Sequence, residues 1–420
     1  MPRPVALLAK LKPDITALQR SRDFRVIEIG AIVSGLGSQA ALVAVPVQVY
    51  LLTGSTALVG LIGAAELVPM VVVALFGGAL ADRMDRRRIL LVAQAATLVG
   101  AALLAVLAFA GHPPVAAIFV LAALLAGSST LDSIARSTMT ARLAGEWLRS
   151  AIAFNFGMNQ VTAIVGPGIG GIVIGAAGAG WVYAADALSV LVTVYAALTI
   201  APQHPHATSS EPIFASVKAG LRFARSSDAL IGSFVIDLFA MTFGMPRVLF
   251  APLSLHVFHA GAAGAGFLYA SVAAGAAVAA LSNSWLASAR WIGRITIAMV
   301  VVWGAAIATT ALTTSIVLAA ILLAVAGGAD SISAVCRTTI AQLVTTDEMR
   351  GRLTSTFLLV VIGGARLGDI ESGMVASATT PRFSVLSGGL ACIAGVGVVL
   401  AAFPSLARFD AHRYTRTASP

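Results

Sequence analysis

The sequence predicts an all-α membrane protein of twelve transmembrane helices arranged as two pseudo-symmetric six-helix halves, and three observations carry that prediction. Hydrophobic residues make up 58% of the 420 and charged residues only 11%, with a mean hydropathy of +0.93, a balance that excludes a soluble domain. The length suffices for about a dozen spans of 20 to 25 residues joined by short connections. Arginines and lysines crowd every second connection and avoid the others. The net charge of +9 is dispersed over many short loops, so no continuous basic face offers itself to nucleic acid. The basic residues read instead as topology signals and as contacts to the cytoplasmic leaflet. Cys336 and Cys392 both fall in apolar runs, and no disulfide framework is indicated.

Residues 1–24 form a cytoplasmic N-terminal segment. Pro4 and Pro13 interrupt it and it lacks the central apolar run of a signal peptide. Leu7, Leu8, Leu11, Ile15 and Leu18 recur at helical spacing beside Lys10, Lys12, Arg20 and Arg22. Either a helix lying on the membrane face or a solvated basic tail accounts for that pattern. The first half, 25–201, holds spans at roughly 25–51, 57–80, 89–110, 114–140, 150–175 and 179–201. A cytoplasmic central loop, 202–228, follows with Pro202, Pro205, Ser209, Ser210 and Pro212, then Lys218, Arg222 and Arg225. The second half, 229–403, holds spans at roughly 229–256, 263–287, 294–313, 316–341, 353–376 and 383–403, and 404–420 is a cytoplasmic tail. Loops after even-numbered spans, with the termini, carry Arg83, Arg86, Arg87, Arg88, Arg142, Arg149, Arg290, Arg294, Arg350, Arg352, Arg408, Arg413 and Arg416, whereas the opposite loops carry only Arg382. Both termini are therefore expected in the cytoplasm, and the span count is even.

The halves repeat one another. At an offset of 206, Gly60 aligns with Gly266, Leu80-Ala81 with Leu286-Ala287 and Arg88 with Arg294. At offsets of 201 to 203, Gly127 meets Gly328, Arg136-Ser137-Thr138 meets Arg337-Thr338-Thr339, and Phe154 meets Phe357. A nearly constant offset close to half the length implies duplicated halves with a substrate site between them.

Five stretches carry a resemblance to a known family. The charged knot Gly78-Ala79-Leu80-Ala81-Asp82-Arg83-Met84-Asp85-Arg86-Arg87-Arg88 resembles the loop signature G-x-L-A-D-R-x-G-R-R of major facilitator transporters, with Asp85 where that family has glycine. Gly166-Pro167-Gly168-Ile169-Gly170-Gly171 is similar to the end of the helix 5 motif of that family's proton-coupled exporters, although Ala153 and Thr162 replace upstream glycines. Val43-Ala44-Val45-Pro46-Val47-Gln48, Pro246-Arg247-Val248-Leu249-Phe250 and Gly266-Phe267-Leu268-Tyr269-Ala270 resemble the enterobactin-exporter branch, beside macrolide and multidrug exporters. The resemblance implies the major facilitator fold, a cavity lined by spans 1, 4, 7 and 10, a gating role for the loop at Gly78, Asp82, Arg83, Arg86 and Arg87, and an exporter-like role for Gly166, Pro167, Gly170 and Gly171. Glycines in a membrane helix also permit close packing without any further role.

The intramembrane charges argue for transport independently of any family. An ionisable group at a span's centre costs several kcal/mol and normally faces a cavity or a partner. Glu66, Asp132, Arg136, Asp186, Asp237, Arg247, Asp330, Arg337, Arg366, Asp369 and Glu371 all fall inside spans. Asp132 and Arg136 share a helix face, as do Asp330 and Arg337, so each pair reads either as a local ion pair or as a piece of the pathway. Asp237 joins them as a proton or substrate candidate, with Arg247 beside it on span 7. Asp186 reads as structural. Arg366 can neutralise Asp369, which leaves Glu371 and Glu66 without a partner in sequence and open to a titrating role.

Enzyme readings have no support: His204 and His206 stand without a cysteine or an acid that would complete a metal set, and no G-x-x-x-x-G-K-[ST] motif exists for nucleotide hydrolysis. No metal and no cofactor is expected. The reading is a secondary exporter of a small organic molecule, a siderophore or an amphipathic drug, working by proton antiport and alternating access. Its partners are the small-molecule substrate, protons and the lipid bilayer, with no nucleic acid, and it is expected as a monomer, multi-pass in a bacterial inner membrane. The alternatives are an uptake transporter for a metabolite and a transporter-like receptor that binds without moving its ligand.

Overall fold

The computed structural model describes residues 15–203, 219–220, 222–225, 227–345 and 349–413. Local chemistry sets where its helices begin and end. Helix α1 (Arg22–Thr53) starts at Ser21, whose Oγ accepts the Phe24 N–H at 3.2 Å and donates to the Leu143 carbonyl at 2.7 Å. It stops at Gly54, which takes the left-handed φ of 63°. Ser55 caps α2 (Thr56–Arg83), Asp85 caps α3 (Arg86–Phe109), and Pro114 precedes α4 (Val115–Ala144). Helix α5 (Leu148–Ala177) gives way at Gly178, φ 93°, to α6 (Ala179–Thr199).

The second half opens with α7 (Asp228–Phe243) and continues through α8 (Gly261–Ser282), α9 (Ile292–Thr310), α10 (Ile316–Val344), α11 (Arg350–Ala378) and α12 (Pro381–Ala402). Ten stretches of described chain are long and apolar enough to cross a membrane, one of them running through α4 and α5. Helix α11 is not among them; it carries Arg366, Asp369 and Glu371.

Span 7, expected to run unbroken over 229–256, is interrupted. After Phe243 the chain leaves the helix at Gly244-Met245-Pro246, makes a 3-10 turn over Arg247–Leu249, one α turn over Phe250–Pro252 and a π turn over Leu253–Val257. The cause is Pro246, which supplies no N–H and bars helical geometry at the residue before it. The carbonyls so freed find partners on neighbouring helices: Trp303 Nε1, fully buried, donates to Gly244 O at 2.6 Å, and the Tyr269 hydroxyl donates to Arg247 O at 3.0 Å.

Within the first half α1 packs on α5 and α6, α3 on α4 and α6, and α2 on α4; within the second, α10 packs on α8 and α9, α12 on α9 and α7, and α11 on α7. The two halves meet chiefly through α2 against α11 and α5 against α8. Each contact is closed by a glycine pair. A Cβ on Gly60 would lie 2.6 Å from the Asp369 carbonyl oxygen and 3.0 Å from Gly373 Cα; a Cβ on Gly171 would lie 2.8 Å from the Ala262 carbonyl oxygen and 3.0 Å from Gly266 Cα. Backbones touch there because neither partner has a side chain.

Both pairs lie toward the ends of their helices remote from the chain termini. The terminus face is marked by its contacts: Ala17 N donates to Ser150 Oγ, Arg86 N to Gln203 O and Ala411 N to Arg290 O. Toward that face the halves diverge. The stripe of α5 that presents Gly171 to α8 passes through Gly157 about four turns earlier, and a Cβ there would meet nothing within 4 Å. Gly363, three residues before Arg366 on α11, also borders open space. The inner walls thus form a cleft that closes at the face opposite the termini.

Candidate functional site

Three groups of polar side chains line the helices around that cleft. The most enclosed is in the second half. Arg337 of α10 lies 2.8 Å from Asp237 of α7 and 3.5 Å from Asp330, two turns earlier on the same face of its own helix, and its Nη1 donates to Ser333 Oγ at 2.9 Å. Arg337 is 1% and Asp237 0% exposed, whereas Asp330 keeps 24%. The sequence pairs Arg337 with Asp330; the structure gives the shorter contact to Asp237 on another helix. One guanidinium therefore holds two carboxylates, one sealed and one open to the cleft.

The first half carries a longer network. Gln94 of α3 donates to Asp132 at 2.7 Å, and Arg136 Nε reaches the other oxygen of Asp132 at 2.7 Å. Glu28 of α1, buried, lies close enough to Arg136 to feel its charge and accepts a hydrogen bond from Asn155 of α5 at 3.4 Å; Asn159 in turn donates to Asn155 at 2.7 Å. Glu28 and its asparagine partners are absent from the sequence-derived candidates. Glu28 lies in the opening turns of span 1, where an acid carries no sequence signal that separates it from the charged end of a helix.

The third group joins the halves. Arg366 Nη1 of α11 lies 2.6 Å from Glu66 of α2 and 3.1 Å from Asp369 of its own helix. Glu66, unpartnered in sequence, is thereby paired across the interface. The sequence could not show it because the two residues lie on opposite halves. Arg366–Asp369, three residues apart, pairs as the spacing suggests.

Arg247, on the 3-10 turn of the broken helix, is exposed, and its charge reaches both Asp330 and Asp369. Its turn packs on α11 and α2, which places a free-standing guanidinium between the enclosed triad and the interface group. Glu371 stands two residues beyond Asp369 on a different face, near the exposed Leu367 and Met374. Asp186 of α6 is buried and accepts from Ser38 Oγ of α1 at 3.3 Å, a contact between neighbouring helices of one half.

The helix 5 motif packs. A Cβ on Gly166 would lie 3.1 Å from Leu36 O, one on Gly170 2.8 Å from Ala40 Cα, and Gly171 meets α8, where the Pro167 carbonyl is set against Gly266. At the charged loop, the surroundings of Gly78 and of the Asp82 side chain lie outside what is described, as do residues 1–14 and the histidines at 204 and 206. Arg83 is exposed, Arg86 is buried and Arg87 Nη2 donates to Leu198 O at 2.8 Å. Asp85, the departure from the family pattern, accepts the Arg87 N–H at 2.8 Å and the Gln203 N–H at 3.0 Å. It ties the start of α3 to the chain leaving α6. Among the described residues no group of His, Cys, Asp and Glu is arranged to hold a metal ion.

Comparison with known proteins agrees with this architecture. Residues 16–418 match the family described as transmembrane secretion effectors. The chain is 28% identical to the enterobactin exporter of Citrobacter koseri over 388 residues, 92% of each chain, and 27% identical to that of Shigella boydii, covering 92% of this chain and 93% of the relative. Among solved structures, a nucleoside transporter superposes with a TM-score of 0.75 at 14% identity over 91% of this chain and 99% of its own. A bacterial homologue of the human lysosomal transporter Spinster does so with 0.70 at 15% identity over 96% and 98%.

Proposed function

The chain belongs to the transmembrane secretion effector family of the major facilitator superfamily, and on that premise we propose that it exports a small organic molecule, a siderophore or an amphipathic drug, in exchange for protons by alternating access. The observation that supports this reading is a charge imbalance within the spans. Away from helix ends, the described spans carry seven carboxylates (Glu66, Asp132, Asp186, Asp237, Asp330, Asp369, Glu371) against four guanidiniums (Arg136, Arg247, Arg337, Arg366). Carboxylates in surplus within a membrane must bind protons, bind a cation or face water. A protein that alternates between these conditions exchanges protons.

The terminus face is taken as cytoplasmic, so that the cleft receives cargo from the cell. Asp132 with Arg136 and Asp237 with Asp330, Arg337 and Arg247 line the route for cargo and proton, with Glu66 and Glu371 as further titrating candidates. The loop at Gly78, Asp82, Arg83, Arg86 and Arg87 is assigned to closing the cytoplasmic side. The siderophore reading follows the names of the two enterobactin exporters.

Inside-out membrane vesicles test it directly. With an acidified lumen they should accumulate iron-free enterobactin, and an ionophore that collapses the pH gradient should stop the accumulation. Loss of preloaded enterobactin in exchange for nothing but the gradient's reversal would favour uptake instead. Saturable binding with no flux of enterobactin or of a cationic dye would favour a receptor.

A further inference from the structure

The interface group is built asymmetrically, and the asymmetry has a direction. Arg366 Nη1 holds two carboxylates, Glu66 at 2.6 Å and Asp369 at 3.1 Å. Asp369 rides on the same helix, three residues along, so that pair persists whatever the halves do. Glu66 belongs to the other half. Its pair exists only while α2 and α11 are in contact, at the level where Gly60 and Gly63 lie against Asp369 and Gly373. Closure at the face opposite the termini therefore brings Glu66 onto its guanidinium.

We propose that Glu66 is the exchangeable proton site of this transporter, that Arg366 is the group that triggers proton release, and that Asp369 is the standing counter-ion that keeps Arg366 neutralised when Glu66 is away. The proposal rests on the exporter reading above. When the halves part at the far face, Glu66 loses its guanidinium and stands as a lone carboxylate in a low-dielectric wall, where it takes one proton from the water on that side. When they close again, Arg366 favours the anion, and the proton leaves to the cleft, which both side chains still touch at 16% and 23% exposure. One proton crosses per cycle, and Arg366 stays paired with Asp369 throughout.

The surroundings of Glu66 are consistent with this role. From α11 it meets Arg366 and Asp369; the Arg247 turn packs on α2 and α11, and the Tyr269 hydroxyl of α8 lies within electrostatic reach of all four charges. Helix α1 has no Asp, Glu, Lys, Arg or His between Glu28 and its end. Helix α4 meets α2 at Gly127 against Pro69, and its own acid, Asp132, is turned to Gln94 and Arg136. No second cation faces Glu66 from α1 or α4 among the described residues.

Ala262 of α8, buried against Gly171 in the other contact between the halves, reports on closure without touching Glu66. In right-side-out vesicles, an Ala262→Cys reporter carrying Cys336→Ser and Cys392→Ser is treated from outside with a membrane-impermeant maleimide at pH 8 and pH 6. Because the thiolate is the reacting form, labelling at each pH is divided by that of a permanently exposed cysteine on the same face; so normalised, it should rise about tenfold as the pH falls, a shift in population of the size one pKa unit can drive. Glu66→Gln should label fast at both pH values, and Glu66→Asp should keep the response. A Glu66→Gln reporter that labels as slowly as its parent at pH 8 and keeps the full response overturns the proposal. If that variant fails to reach the membrane, Arg366→Gln decides, since removing the trigger must also remove the pH response. Enterobactin flux separates the two readings. A parent that responds to pH but moves no enterobactin uphill sinks the exporter and leaves the proton site; uphill flux undiminished in Glu66→Gln leaves the exporter and sinks the proton site.

Discussion

Arg337 shows what a single residue can hold in place, and what its removal should cost. It is the ion-pair partner that the structure gives Asp237, which has no exposure to solvent. Truncating one member of a buried pair strands the other charge, a loss of about 3–5 kcal/mol. Arg337→Ala should therefore lower the thermal midpoint of the detergent-solubilised protein by several degrees, and Asp237→Asn introduced into that variant should recover much of the loss. Failure of the second change to recover any stability would mean that Asp237 is already neutral. This is also the scale at which sequence served least well. Asp132–Arg136 and Arg366–Asp369 were legible because helical spacing puts i+4 and i+3 neighbours side by side. Arg337–Asp237 and Arg366–Glu66 were not, because nothing local to either residue encodes which distant helix will lie beside it.

At the scale of the element, the broken helix and the glycine contacts behave in opposite ways. The break after Phe243 is written in Gly244-Met245-Pro246, but hydropathy alone smooths over it and yields one long span. Its stability depends on a neighbour: Trp303 Nε1 donates to the freed Gly244 carbonyl. Trp303→Phe keeps an aromatic side chain but deletes that donor, leaving a buried carbonyl unpaired at about 1–3 kcal/mol, and adds the cost of the void left by the smaller ring. The expected result is reduced thermal stability with the fold retained, as measured by circular dichroism. The glycine contacts are legible in part, since the repeat aligns Gly60 with Gly266. The structure gives the two glycines the same task, one against Gly373 and the other against Gly171. Gly171→Val would drive a branched side chain into the Ala262 carbonyl and the Gly266 backbone, which cannot yield as a flexible side chain could. That variant should hold the far face open, with raised maleimide labelling at Ala262→Cys at every pH and loss of enterobactin accumulation. Normal labelling would show that the helices have room to slide.

At the scale of the whole molecule, each half ends by folding its exit chain beneath its own first charged loop, and the two halves do so with the charges exchanged. In the first half the acid is in the loop, Asp85, and it accepts the Gln203 N–H. In the second the acid is in the tail, Asp410, which binds Arg290 at 2.8 Å, while Ala411 N donates to Arg290 O and Arg294 Nε to Ala407 O. The hydrogen bond from Arg290 holds the Asp410 carboxyl below its ordinary pKa. A lowered folded pKa means that the docking contribution is present above the ordinary aspartate value near 4 and fades as the pH falls through the folded value. Proteolysis within 404–413 should accelerate below about pH 4 in the parent, and at neutral pH in Arg290→Ala. All of these loops lie on the face that the arginine distribution assigns to the cytoplasm, and the cleft opens toward the same face. Orientation therefore decides whether the structure stands open to the cell or away from it. A fluorescent reporter that matures only in the cytoplasm, fused after residue 210 or at the C-terminus, should be bright in both positions, and a periplasm-dependent phosphatase should be silent at both. If only the phosphatase were active, the positive-inside assignment would be reversed, the open cleft would face outward, and proton release by Glu66 on closure would run in the wrong direction for export.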